Sequence, residues 1–229
     1  MVVASTDEDC SLAGMTGGRT RGWWEEYREI LSADMLDLAE LERHATAMRI
    51  ATAIHMPGLL QTRDHAYALI SEIVPSLAPH EVEHRVSYRI KKQAVLHGAS
   101  PTPYTAIIHE AALRMGFGGS AVARAQLQHL IDMSEREKVT VLVVPFGVPA
   151  FPGSGQAIVC VRGPVPRLDT INLDTDHGTE LLDAESKLAK YRTVMERMEK
   201  CALTPVKSRD YIRGVARQHT TQILERWTC

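Results

Sequence analysis

The sequence has no C-x-x-C pair, and its four cysteines, Cys10, Cys160, Cys201 and Cys229, are scattered along 229 residues. That spacing excludes a zinc ribbon and a dense disulfide framework, and leaves free thiols as the simplest state. No apolar run approaches the roughly eighteen residues that a membrane helix needs. The opening MVVASTDEDC has neither the basic nor the apolar region of a signal peptide, so a cytoplasmic location is expected. A basic excess is missing too, and a net charge of −2 argues against a general nucleic-acid surface. Lys207, Arg209, Arg213 and Arg217 form a local exception that a solvated helix face explains. No Ser-His-Asp or Cys-His arrangement is legible, and no paired carboxylates stand out beyond Asp174 and Asp176, which read as a turn.

What the chain does have is the composition of a globular protein, 45% apolar and 24% charged. Residues 1–22, rich in glycine, serine and threonine, read as a tail, and 23–229 as a single domain. Aromatics and apolar residues from Trp23 to Leu31 recur at helical spacing. The segment 37–62, with Leu38, Leu41, Ala45, Met48 and Ile54, reads as helix up to the break at Pro57-Gly58. Thr62 is an N-cap for the next helix, and Pro79 starts an amphipathic helix to about residue 97. Beyond Pro103 the segments YTAIIH, KVTVLVVPF, GQAIVCVRG and RLDTINLD read as strands. VTVLVV, apolar at nearly every position, is expected in the middle of the sheet. Two helices follow Gly178. The expected fold is therefore α+β, helix-rich, with a small mixed or antiparallel sheet of about four strands.

Residues 80–84 spell HEVEH, the H-E-x-x-H of a zinc hydrolase. Here it opens a helix just behind a proline. Arg85, Arg89, Lys91 and Lys92 follow on that helix and would repel a dication, and His97 is too far along it to close a site. Glutamates in a first turn also complement the helix dipole. No metal and no cofactor is expected, although ten histidines leave metal or haem binding as a weaker reading that absorbance and metal analysis would test. MGFGGS, 115–120, could cradle a phosphate, but a helix end with a turn explains it with fewer assumptions. His109-Glu110, where a strand hands over to a helix, is the most site-like pair.

Several stretches taken together resemble one family. WWEEY (23–27), LERHATAMRI (41–50), MPGLLQT (56–62), RIKKQAVL (89–96), IIHEAALRMGFGGSAVARAQLQHL (107–130), VTVLVVPFGVPAFPGSGQA (139–157) and LAKYR (188–192) occur in this order. They are similar to the domain of unknown function that follows an Xre-type helix-turn-helix in streptomycete antitoxin-like regulators. Those regulators typically have a small toxin-like protein encoded beside them. The 22 residues ahead of the tryptophan pair are too few for such a DNA-reading domain, so no DNA binding is expected. Three places depart from the pattern: His65 before Ala66-Tyr67, His109 in place of an acidic residue, and Asn172-Leu173-Asp174 where a strand commonly ends in glutamate.

The resemblance implies a binding module that senses a small-molecule ligand or grips a small partner protein, with a homodimer as a further candidate and no membrane. Gln61, Arg89, Glu110 and Gln126 are the candidates to line its site, and Trp23 and Trp24 to anchor a partner. Each has a plain alternative as a hydrogen-bonded or packed structural residue. The rival reading is an enzyme of specialised metabolism recruited from the same scaffold. It would use acid–base or cyclisation chemistry, with His109 and Glu110, then His65, as its catalytic candidates.

Overall fold

A computed structural model describes residues 22–153, 155–175 and 178–226. The expected tail and His177 thus lie outside the described residues, apart from Gly22. After a 3-10 turn at Trp23–Tyr27 come α1 (Ala33–Arg43), β1 (Ala47–Thr52), a 3-10 turn at Gly58–Leu60, α2 (Arg63–Ile70) and α3 (Pro79–Lys92). Then follow β2 (Tyr104–His109), α4 (Glu110–Arg114), α5 (Ser120–Ser134), β3 (Val139–Val144), β4 (Ala157–Arg162), β5 (Thr170–Thr175), β6 (Gly178–Leu182), α6 (Glu185–Cys201) and α7 (Pro205–Arg226). The class is α+β, but the sheet has six strands among the described residues, not four, in the order β3-β2-β1-β4-β5-β6. It is mixed: β1, β2 and β3 run parallel, and β4, β5 and β6 add on antiparallel.

Two strands account for the difference. β1 falls inside the stretch read as a helix, where Leu41, Ala45, Met48 and Ile54 happen to fit a spacing of three to six. Within Ala47–Thr52 the alternation that matters is Met48 and Ile50 facing one cluster and Ala51 the other. β6, GTELL, is mostly exposed and carries too little apolar pattern to announce itself.

Both faces of the sheet are covered. Met48, Ile50, Tyr104, Ala106, Ile108, Val141 and Val143 pack with Leu59 and Leu60 of the 3-10 turn, Leu127 and Leu130 of α5, and Ile212 and Val215 of α7. On the other face Ala51, Ile107, Ile158, Ile171 and Leu173 meet Leu188, Met195 and Met198 of α6. Each such fully buried aliphatic side chain contributes about 2 kcal/mol from removal of apolar surface from water. The two clusters therefore hold the helical layers on the sheet.

VTVLVV is covered on both faces as expected, yet it is the outermost strand and not a central one. Its open edge is managed by α7. Val143 N–H donates to Ser208 Oγ at 2.9 Å, and Leu203 N–H donates to the Val143 carbonyl at 2.8 Å. An unpaired strand edge invites pairing with other chains, and these two bonds occupy it.

A smaller cluster of Trp24, Tyr27, Leu31, Ala39 and Tyr88 binds the N-terminal turn and α1 to α3. Trp24 is buried, and half-buried Trp23 leans on Trp24, Tyr27 and Tyr88 at centroid distances of 6.0, 6.0 and 5.5 Å. Tyr88 donates its hydroxyl hydrogen to the Met35 carbonyl, and burial raises its pKa far above the ordinary value.

Candidate functional site

HEVEH begins α3 on the surface. Pro79 is its first residue, His80 is exposed, and the Glu81 carboxylate accepts from Ala78 N–H at 2.7 Å. The glutamate is thus part of the helix cap. The His80 and His84 rings stand 6.0 Å apart, and among the described residues no group of three or more His, Cys, Asp or Glu could hold a metal ion.

The pairing register brings one set of segment ends together. Ala51 lies opposite Ile158, Ala157 opposite Asp174, and Thr175 opposite Gly178. The carboxyl ends of β1, β2, β3 and β5 therefore share one end of the sheet, which is where open sheets with parallel strands form ligand crevices. At that end the chain leaves β1 through His55, turns at Pro57-Gly58 and enters α2.

That turn is braced from within. Gln126 of α5 is fully buried, donates Nε2–H to the Leu60 carbonyl at 2.6 Å and accepts Thr62 N–H at 2.7 Å. Gln93 donates to the Gln61 carbonyl at 2.6 Å. Gln61, 1% exposed, donates to the Met56 carbonyl at 2.8 Å and accepts from Arg89 Nη1 at 3.0 Å. The Arg89 stem lies on Gly58, where an added Cβ would stand 3.5 Å from Arg89 Cδ. Thr62 caps α2 as its position predicts, accepting His65 N–H. Three of the sequence candidates, Gln61, Arg89 and Gln126, thus belong to one construction. Gln126 and Gln61 hold the turn, and half-buried Arg89 uses one of its five donors on Gln61.

His65 is the unusual member. It is 1% exposed, and neither ring nitrogen has a hydrogen-bond partner. Its ring stands edge-on to Phe117, whose ring also meets His55 at 5.5 Å. Burial, with the charges of His55 and Arg89, pushes the His65 pKa down to about 4, so the ring is neutral at pH 7. Desolvation likewise lowers that of His55, with Asp174 acting against it and Arg89 with it. Burial lowers the Arg89 pKa, opposed chiefly by Asp174 and Glu42, and a guanidinium stays charged regardless. Asp174 and His55 are exposed. Two residues before Asp174, on the same face of β5, Asn172 is 4% exposed with its Oδ1 unpartnered. These residues gather two buried polar side chains without partners, exposed charges and one aromatic ring at the same end of the sheet. Two of the departures noted in the sequence, His65 and Asn172-Leu173-Asp174, both come near His55 and Arg89, His65 directly and the strand through Asp174.

His109 and Glu110 form a separate group at the end of β2. His109 Nδ1 accepts Ala111 N–H at 3.1 Å, capping α4, and its ring is sandwiched by Phe146 at 4.9 Å and Phe151 at 5.1 Å. Its cap leaves only Nε2 to carry a proton in the neutral ring. Buried Glu110 accepts from Arg114 Nε at 2.5 Å and from Phe146 N–H at 2.8 Å. Burial works against its charge, but Tyr211, Phe146 and Arg114 together hold its pKa below the ordinary value. Both side chains pin the loop that leaves β3.

A cavity of about 290 Å³ lies on the opposite face, between β1, β4, β5 and α6, lined by Arg49, Arg162, Arg192, Cys160 and Glu196 among others. Composition gave no sign of it. Arg49 is paired with Glu199 at 2.7 Å, and Arg192 with Asp169 at 2.8 Å and Glu185 at 2.9 Å. Burial raises the Cys160 pKa to about 11, leaving a protonated thiol. Two of its three arginines, Arg49 and Arg192, are thus already paired with carboxylates of the chain. His55, Asp174, Asn172 and Phe117 are the cleft residues not chosen from sequence. The one available signal was the density of histidine around the Pro57-Gly58 turn.

The architecture is thus an α+β domain with a cluster of polar side chains at the carboxyl end of a mixed sheet. Residues 35–214 match the family described as Domain of unknown function (DUF5753), and the chain belongs to that family. No curated protein and no solved structure matches it. No helix among the described residues is long and apolar enough to cross a membrane.

Proposed function

We propose that this protein is an effector-binding domain of the antitoxin-like regulator lineage, and that it takes a small organic molecule into the cleft between α3, β5 and the β1–α2 turn. The observation that carries the reading is His65: a fully buried imidazole with both nitrogens unpartnered, beside a guanidinium with donors to spare. Leaving a buried donor or acceptor unpaired costs about 1–3 kcal/mol, a cost that an occupant of the cleft would relieve. Gln61 and Gln126 act here as positioning residues, and Trp23 and Trp24 as packing for α1 and α3.

The test is capture. Purified protein is incubated with a metabolite extract of its native host, separated from free solutes, and its retained compounds are read by mass spectrometry. A compound retained by the wild type and lost from His65→Phe and Arg89→Gln is the expected result. Retention unchanged in both variants would remove the cleft from the account.

A second reading rests on the same imidazole. A neutral histidine in a cleft, with another histidine across one phenyl ring, is equipped to move a proton, which would make this an enzyme of specialised metabolism. Conversion of the captured compound, abolished in His65→Phe, would select this reading.

A further inference from the structure

Resting on the cleft as the binding site, the geometry points to the class of its ligand: an α-amino acid, or a metabolite keeping its free carboxylate and ammonium, with an apolar side chain. Arg89 and Asp174 are opposite charges near one another that do not neutralise each other by contact. Arg89 gives its hydrogen bond to Gln61, and Asp174 is the strongest opposite charge that it feels, yet among the described residues no ion pair joins the two. The nearby Glu42 is already held by Lys92 at 2.9 Å. Asp34 adds to the negative side, since a Cβ on Gly178, which follows β5, would stand 3.8 Å from its Oδ2.

On β5 two acceptors share one face: the exposed Asp174 carboxylate and the buried, unpartnered Asn172 Oδ1. An ammonium group needs such acceptors, and a carboxylate needs the planar donors of Arg89. A simple anion would meet Arg89 but face Asp174, and a simple cation the reverse. A dipolar molecule satisfies both charges at once. Its carboxylate lies on Arg89, its ammonium on Asp174 and Asn172, and His65 offers a neutral donor or acceptor. The half-buried Phe117 ring, against both His55 and His65, offers an apolar surface beside these groups, and Ile54, next to His55 in the chain, is 48% exposed.

Three probe series decide the matter by saturation-transfer NMR titration of the full chain. They are L-phenylalanine, L-leucine and L-tryptophan; the same molecules without the amino group, such as 3-phenylpropionate; and without the carboxylate, such as phenethylamine. At least one amino acid is expected to bind saturably, and both of its analogues to bind weaker by about tenfold or more. Asp174→Asn should erase the preference over the deaminated analogue, and Arg89→Gln the preference over the decarboxylated one. Asp174 is exposed, so its variant does not disturb the core. Equal or tighter binding of 3-phenylpropionate, or no saturable binding by any amino acid, overturns the inference. That failure is distinct from failure of the cleft itself, because a neutral compound captured from extract and lost in His65→Phe would keep the cleft while discarding this ligand class.

Discussion

His65 stands edge-on to Phe117, with ring centroids 6.0 Å apart and planes at 85°, and makes no hydrogen bond from either nitrogen. A polar ring kept in such a place lowers stability, and replacing it with an apolar ring of similar size should raise it. His65→Phe is therefore expected to melt at a higher temperature than the wild type at pH 7 while losing whatever the cleft retains. Calorimetry and the capture experiment read the two effects separately. A lower melting temperature would mean that His65 has a structural partner.

The same histidine makes acid stability testable. Its pKa is about 4 in the folded chain against an ordinary 6.5, so between those values the unfolded state binds the extra proton. The contribution of the neutral ring is complete above about pH 6.5 and falls as pH drops towards 4, by about 3 kcal/mol in all. His55, His97 and His129 are shifted down as well and act in the same direction. Urea unfolding across this range should show a shallower pH slope in His65→Phe than in the wild type.

Gln126 reads out the bracing of the β1–α2 turn. Gln126→Ala would leave the Leu60 carbonyl and Thr62 N–H without their partner, at a cost of about 3 kcal/mol. Amide hydrogen exchange at Thr62 should quicken, and ligand capture should weaken because Gln61 loses its seat. Unchanged stability would show that water replaces both bonds.

Glu110 is expected to matter for the loop after β3. Glu110→Gln keeps an acceptor for Phe146 N–H but loses the ion pair with Arg114, for about 1 kcal/mol of stability. Because its carboxyl is held below the ordinary value, the wild-type contribution is complete above about pH 4.5 and disappears as pH falls through the lower value. Capture from extract should be unaffected. A loss of capture would move the binding site to the end of β2.

Ser208 guards the edge of β3. Ser208→Ala removes the acceptor for Val143 N–H and should cost about 1–2 kcal/mol while raising the tendency to self-associate, read by light scattering on mild heating.

Much of the fold was legible because local patterns and tertiary burial agree there. The four strands read from Val, Ile and Thr runs are strands, Thr62 caps its helix, and Pro79 starts one. β1 was hidden because strand and helix spacings overlap at Met48 and Ile54, and the His44–Thr46 turn has neither glycine nor proline to announce the change. The edge position of VTVLVV was hidden because coverage of both faces looks the same in sequence for a central and an outer strand. The cleft was legible in part: Gln61, Arg89, Gln126 and His65 are polar residues among apolar ones, and they gather. Asp174 and Asn172 join them only through the β4–β5 register, a non-local pairing with no local signature.

β1 is the spine of the sheet, and its second neighbour comes late. It pairs on one side with β2 and on the other with β4, which begins only at Ala157. During synthesis the parallel half can assemble first, but Met48 to Ala51 then offer a bare row of amides and carbonyls until β4 emerges. At about ten residues per second the stretch from Val144 to the end of β4 takes roughly two seconds. Nascent chains stalled between Val144 and Ala157 should be the species that chaperones bind and that aggregate when chaperones are scarce, a vulnerability belonging to the order of translation rather than to the finished protein.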